Sequence, residues 1–334
     1  MNLTNSTISI LIIIGLISCK EKESNESYIH PTKITSEFKD SIFFSSIYGM
    51  KYFSDYIFLT DMNKNVVYKT DKHLKLISLM GKYGEGPGEM TYCMKVDVNK
   101  NFVFAGDDGN RRINIFNKKD GSYFSSFKTN YSGYNIITRF AVSQDNTIFI
   151  SSNKKVYSVD LYGNLINEFN LKTASYWTNE TSSNYRDIFI FNNKTLLLVP
   201  HIEPFIETYT LSGDMIYRFD LSGLLCLQNL ILFIKEGNLP TETSYYEIFQ
   251  DSYLVGNHLF ILYLDIDKTG KKSQGNILEL DISKKPFKLK NIYHLLRNDN
   301  KIGWFNSFCV SDDRKKLYAY EGALHEIHIF NLDK

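Results

Sequence analysis

The residue types able to do chemistry are scattered along the 334-residue chain rather than gathered in one motif. His201 and Glu203 stand two apart between Pro200 and Pro204, and could act as a metal pair or as acid and base once other parts of the fold bring partners to them. Asp265 and Asp267 open a long polar run ending at Lys272 and suggest calcium. The central Gly and the bidentate Glu of a helix-loop-helix calcium site are missing, however, so a solvated turn explains them as well. Tyr176 and Trp177 offer aromatic contact area to a ligand or pack their own loop. Asp107 and Arg111 have the charges of a catalytic ion pair, or serve a local turn. His325 and His328 are three apart, which on a strand places them on opposite faces and keeps them from sharing a metal. The glycine-rich stretch GKYGEGPGE, residues 81–89, invites comparison with a phosphate cradle. A cradle of that kind needs Gly-Lys-Ser/Thr leading into a helix. Here Glu89-Met90 leads into the apolar, strand-like run YCMKVDV (92–98). The chain contains no Gly-x-Ser-x-Gly elbow, no Cys-x-x-Cys and no His-Glu-x-x-His.

Composition narrows the classes of partner. With 38 basic and 37 acidic residues the net charge is +1, which gives no electrostatic footprint for nucleic acid. Tyr (23) and Phe (24), together with many Ile, Val and Thr, favour strands. The four cysteines, at 19, 93, 226 and 309, match neither a disulfide framework nor a zinc spacing. Cys93, Cys226 and Cys309 sit in apolar runs and read as small buried hydrophobes.

The elements that must position these residues emerge from an internal repeat. The runs IFLTD (57–61), VFAGD (103–107), IFISS (148–152) and LLLVP (196–200) recur in step, from Phe58 to Phe104, Phe149 and Leu197. Longer fifth and sixth units follow at LFILYLD (259–265) and KLYAYE (316–321). One strand-like run precedes each template and two follow it, except that the sixth unit lacks its last. Short strands at a period of roughly 40–50 residues are the signature of propeller blades. We therefore expect an all-β, six-bladed β-propeller of four-stranded antiparallel blades. The N-terminal segment around Ile34–Phe38 closes the ring as the outer strand of the last blade, because closure removes an open seam. In this frame the glycine-rich stretch is a blade-to-blade corner built on Gly84, Gly86, Pro87 and Gly88, with its glycines in conformations closed to other residues. The segment 222–240 is an added helix or strand between the fourth and fifth blades.

Asp61, Val66, Tyr68, Gly81, Gly84, Gly86, Pro87, Gly88 and Glu89, and then Asp107, Asn110, Arg111, Ile113 and Phe116, resemble the NHL-type repeat of six-bladed propellers. The other four units keep the strand rhythm without the glycines. The N-terminus carries a second resemblance. An apolar run at 8–17, too short to span a bilayer, ends in Leu16-Ile17-Ser18-Cys19, which is similar to a bacterial lipobox, although residues 1–7 contain no Lys or Arg. That resemblance implies a signal peptide at 1–18, lipidation of Cys19, a flexible tether at 19–28 and a propeller over 29–334. The whole chain resembles bacterial propeller lipoproteins with degenerate NHL-like repeats, which implies the cell envelope and the outer membrane.

The functional expectation is a monomeric, non-catalytic module that binds a small molecule, glycan, peptide or envelope protein. It meets the membrane through its lipid alone and binds no nucleic acid. Tyr176, Trp177, His201, Glu203, Asp265 and Asp267 are the candidate ligand contacts, on the face shared by blade connections and the loops between second and third strands. The alternative is a metal-dependent enzyme of lyase or lactone hydrolase type at the channel mouth. It requires acids or histidines converging from several blades. No cofactor is expected, apart from calcium at the acidic run.

Overall fold

A computed structural model describes residues 25–38, 42–129, 139–152, 154–171, 185–236 and 247–333. Six antiparallel sheets follow one another around a ring. Blade 1 consists of β5 (Ile47–Phe53), β6 (Tyr56–Asp61), β7 (Val66–Asp71) and β8 (Leu76–Met80). Blade 2 holds β9 (Cys93–Val98), β10 (Phe102–Asp107), β11 (Arg112–Asn117) and β12 (Tyr123–Lys128). Blade 3 holds β13 (Phe140–Val142), β14 (Ile148–Ser151), β15 (Lys155–Val159) and β16 (Leu165–Asn170). Blade 4 holds β17 (Arg186–Phe191), β18 (Thr195–Pro200), β19 (Phe205–Thr210) and β20 (Met215–Asp220). Blade 5 holds β21 (Phe249–Val255), β22 (His258–Ile266), β23 (Lys272–Asp281) and β24 (Lys288–Leu295). Blade 6 begins with β25 (Phe305–Val310), β26 (Lys316–Glu321) and β27 (Glu326–Asn331).

The sequence pattern of each strand follows from its place in a blade. Blades stack face to face, so their second strands are covered on both sides, and β10 and β18 are buried from their second residue onward. They therefore read as unbroken apolar runs. Fourth strands form the rim, and in β8 Ile77 and Leu79 face solvent while Met80 is buried. The core is correspondingly a set of layers between neighbouring blades. One layer joins Phe58 and Val67 of blade 1 to Val96 and Val103 of blade 2, and another joins Ile113 and Ile115 of blade 2 to Ile148 and Ile150 of blade 3.

The ring closes as the sequence implies. Strand β2 (Pro31–Thr35) pairs antiparallel with β27, setting Ile34 opposite His328 and Thr35 opposite Ile327, and so becomes the fourth strand of blade 6. A short hairpin, β3 (Glu37–Phe38) with β4 (Ile42–Phe43), brings Phe38 against Phe44 and Tyr68 in the layer below the seam.

One segment differs from expectation, and a second decides between the two forms expected of it. The tether expected over 19–28 does not extend to residue 28, because β1 (Asn25–Ile29) pairs in parallel with β24 as a fifth strand of blade 5. Ser27 is buried and the Tyr28 ring stacks on His294 with centroids 4.4 Å apart, which gives this polar stretch its anchor. The open segment 222–240 contains helix α1 (Leu225–Lys235). Its Leu227, Leu230, Ile231 and Ile234 recur at helical spacing and pack on blades 4 and 5.

The glycine-rich corner joins β8 to β9 and is clasped by blade 2. Arg112 donates to the carbonyls of Glu85 (3.0 Å), Gly86 (2.9 Å) and Glu89 (2.7 Å), and Asn110 to that of Gly84 (2.9 Å). Gly88 has φ +74° and Gly84 φ +145°, but Gly86 lies outside the left-handed region. The need for glycine at 86 is thus not conformational, and its N–H donates to Glu89 Oε2 at 2.8 Å.

Candidate functional site

The first strands of all six blades stand around a central channel, and five of the blades project charge into it. Lys51 comes from β5, Lys95 and Asp97 from β9, Arg139 from the start of β13, Asp187 from β17 and Asp251 from β21. Each strand places such a residue because side chains alternate: those facing the channel are polar and their neighbours enter the layers between blades. Each acid also ties its blade to the next. Asp97 accepts from the backbone N–H of Val142 at 2.8 Å and Asp251 from that of Phe308 at 3.1 Å. Asp187 accepts from the Ser252 hydroxyl at 2.6 Å.

The same acids pair with cations. Lys51 Nζ lies 2.8 Å from Asp97, and Arg139 Nε 3.0 Å from Asp187. His201, at the end of the second strand of blade 4, reaches Asp187 Oδ2 at 3.3 Å. Burial pushes the Asp187 carboxyl up, but Arg139, His201 and Lys95 hold it far below the usual carboxylate range. Asp251 goes the other way. Its burial and the charge of Asp187 outweigh Lys95 and Arg139 and push it up to about 6. Tyr48, at the channel wall, is raised by burial as well. Two carboxyls facing one channel thus carry opposite shifts.

Between Lys51, Lys95 and Asp97 and the far ends of the inner strands lies a cavity of about 180 Å³. Its other walls are Phe53, Phe140, Ile188 and Tyr253. Lys95 lines it, and its ammonium makes no hydrogen bond or ion pair with any described residue. The cavity opens beside Gln144 and Asn193, in loops between first and second strands. This is the opposite end of the channel from the face on which ligand contacts are expected from sequence. A second hollow adjoins it between blades 3 and 4, lined by Thr147, Phe149 and Leu211.

The candidates from sequence are dispersed. Tyr176, Trp177 and Cys19 lie outside the described residues. His201 belongs to the channel set through Asp187, whereas Glu203, also buried, acts electrostatically on the buried Arg186. They do not form one acid–base pair. Asp265 is half-buried and raised by desolvation, and Asp267 is exposed, accepting from the N–H groups of Thr269 (2.8 Å) and Lys271 (3.0 Å) in its own turn. The Asp107 ion pair is with Arg112, at 3.0 Å, and not with Arg111, which has φ +54° and occupies the preceding turn. The signal for the channel was in the chain: a charge within five of the six runs that precede the repeat template, such as RDIFIF (186–191).

No protein-family model matches this chain, and no curated protein matches it. Solved structures do. A Bacteroides fragilis protein described as exported aligns at TM-score 0.55 and 15% identity, over 89% of this chain and 88% of its own. A virginiamycin B lyase from Staphylococcus aureus, solved with quinupristin, aligns at TM-score 0.54 and 12% identity, over 90% and 99%. The hydrazine synthase of Kuenenia stuttgartiensis aligns at TM-score 0.54 and 11% identity, over 90% and 80%. At these identities the likeness shows the propeller fold. Among the described residues no helix is long and apolar enough to cross a membrane.

Proposed function

We propose that the protein is a lipid-anchored propeller of the bacterial cell envelope whose channel binds a small molecule carrying an anionic group. Lys95 is the observation that carries the binding reading. Its ammonium lies beside a cavity, acts on Asp187 and Asp251 at longer range, and forms no hydrogen bond or ion pair with a described residue. Partly desolvated ammonium groups are costly unless compensated, and a ligand carboxylate supplies that compensation through charge-assisted hydrogen bonds. The cavity is close in size to the cavity of about 150 Å³ that accepts benzene in a protein core, which supports a ligand, or a ligand moiety, of about one ring. The apolar run before Cys19 supports the anchor, and Asp61 and Asp107 with the glycine-rich corner support degenerate NHL-like repeats.

The test is calorimetric titration with glucuronate and glutamate as small carboxylate probes. Saturable binding that Lys95→Met lowers at least tenfold supports the reading, and equal binding by the variant refutes it. Detergent-phase partitioning that survives Cys19→Ser refutes the anchor. A second reading, proton-transfer catalysis in the channel, is favoured by the opposed shifts of Asp187 and Asp251. It requires turnover of a bound ligand that Asp251→Asn abolishes while binding persists.

A further inference from the structure

Blade 6 carries a cluster that neither the channel nor the repeat accounts for. In blades 1 and 2 the acid ending the second strand spends both of its oxygens within the blade and its entry loop. Asp61 accepts from the N–H groups of Ser45, Ser46 and Lys64. Asp107 accepts from Thr91 N–H through one oxygen and from Asn110, Arg112 and Asn114 through the other. Glu321 holds this position in blade 6. Its Oε1 accepts from Trp304 N–H and Arg297 Nη1, both at 3.4 Å, as the repeat requires. Its Oε2 is buried, with no hydrogen-bond partner.

Strand register shows what faces that oxygen. Glu321 pairs with Glu326 as Asp107 pairs with Arg112, so an acid replaces the cation of blade 2. Two residues further on, His328 replaces Asn114. The ligating atoms of Glu321, Glu326 and His328 all lie within 4.8 Å of one another. His328 Nε2 is 3.1 Å from Glu326 Oε2 and 3.7 Å from Glu321 Oε2. Zinc bound tetrahedrally at about 2.0–2.1 Å sets its ligand atoms about 3.3 Å apart, and the two histidine–carboxylate separations bracket that value. His328 is fully buried, with its ring held between Phe305 (edge-on, 5.3 Å) and Phe330 (stacked, 6.2 Å). The Glu326 side chain is 29% exposed and gives an ion a path in.

We propose that Glu321 Oε2, Glu326 Oε2 and His328 Nε2 form a binding site for a divalent transition cation such as zinc, with a water completing the coordination. Bound there, the cation takes the place that the Arg112 guanidinium fills in blade 2. It ties the β26–β27 turn to the strand on which β2 closes the ring. The site is separate from the channel and stabilises rather than reacts.

The full chain, purified in detergent and stripped with EDTA, is titrated with zinc by calorimetry, and its unfolding midpoint is followed in parallel. One zinc per chain is expected, with the midpoint raised by several degrees at a hundredfold excess over Kd. Glu326→Gln, at a partly exposed position that folding tolerates, lowers zinc affinity by about tenfold or more, and His328→Gln does the same. His73→Gln, at an exposed position away from the cluster and the channel, leaves it unchanged. Absence of stoichiometric zinc binding by the folded wild-type chain overturns the proposal. So does binding that Glu326→Gln leaves intact.

Discussion

Replacing Asp107 by Ala tests whether the glycine-rich corner is a structural joint. Asp107 is fully buried and receives four hydrogen bonds, from Thr91 N–H (2.7 Å), Asn110 (2.8 Å), Arg112 (3.0 Å) and Asn114 (3.1 Å). Arg112 in turn holds three carbonyls of the corner, so the carboxylate fixes the clasp as well as the charge. Removing it leaves a guanidinium only 13% exposed without its anion. Breaking one side of a buried pair costs about 3–5 kcal/mol. In a chain of this size that lowers the unfolding midpoint by roughly 4–7 °C. A double-mutant cycle with Arg112→Ala should return a coupling of about 1–3 kcal/mol. Glu168→Ala provides the contrast. It breaks an exposed bridge to Lys155 of 2.7 Å, a class worth about 0–1 kcal/mol. Urea denaturation of the wild type and these four variants makes the comparison. If Asp107→Ala costs no more than Glu168→Ala, the corner is not held by this ion pair and the structural reading of the stretch fails.

Two further outcomes are expected. Gly88→Ala should cost about 1 kcal/mol or more in urea denaturation, since φ is +74° and the added Cβ would meet the Tyr123 ring at 3.2 Å. Gly86→Ala should cost less, because its φ is not left-handed and the nearest atom is the movable end of Glu89. Asp251 gives a pH signature. Its folded pKa, about 6, lies above the unfolded value of about 3.9, so the folded chain binds more protons and this group's contribution to stability falls as pH rises from about 4 to about 6. Asp251→Asn should remove that decline from a series of urea midpoints, and an unchanged slope across this window would show that Asp251 is not raised.

The blades were legible because their cause is periodic. Second strands covered on both faces must be apolar throughout, and that requirement repeats from Phe58 to Phe104 to Phe149. Closure by β2 was legible from a shortage, a sixth unit with three strands, rather than from any property of Ile34 itself. Strand β1 had no such signal. Asn25–Ile29 is polar, adds to a blade that already has four strands, and is fixed by Tyr28 on His294, a contact between residues far apart in sequence. Arg111 serves the turn, one of its two readings, and the repeat gave no sign that the next residue, Arg112, is the one strand alternation turns toward Asp107.

The channel was obscured by a different cause. Lys51, Lys95, Arg139, Asp187 and Asp251 are isolated charges or one of two charges in otherwise apolar runs, and taken alone each reads as an exposed edge. Only the ring makes them neighbours, since five blades, their charges 44 to 64 residues apart in sequence, aim inner-strand side chains at a common axis. That geometry also explains why candidates chosen on loops dispersed: loops diverge from the axis and inner strands converge on it. His201 is the exception that fits the rule. It reaches the channel from the end of a second strand because Asp187, on the adjacent inner strand, is placed to receive it. In a propeller, then, charges recurring at the blade period within the innermost strands indicate the site more directly than any local motif. By that criterion Lys95 stands apart, as the one channel cation whose charge no described carboxylate directly pairs.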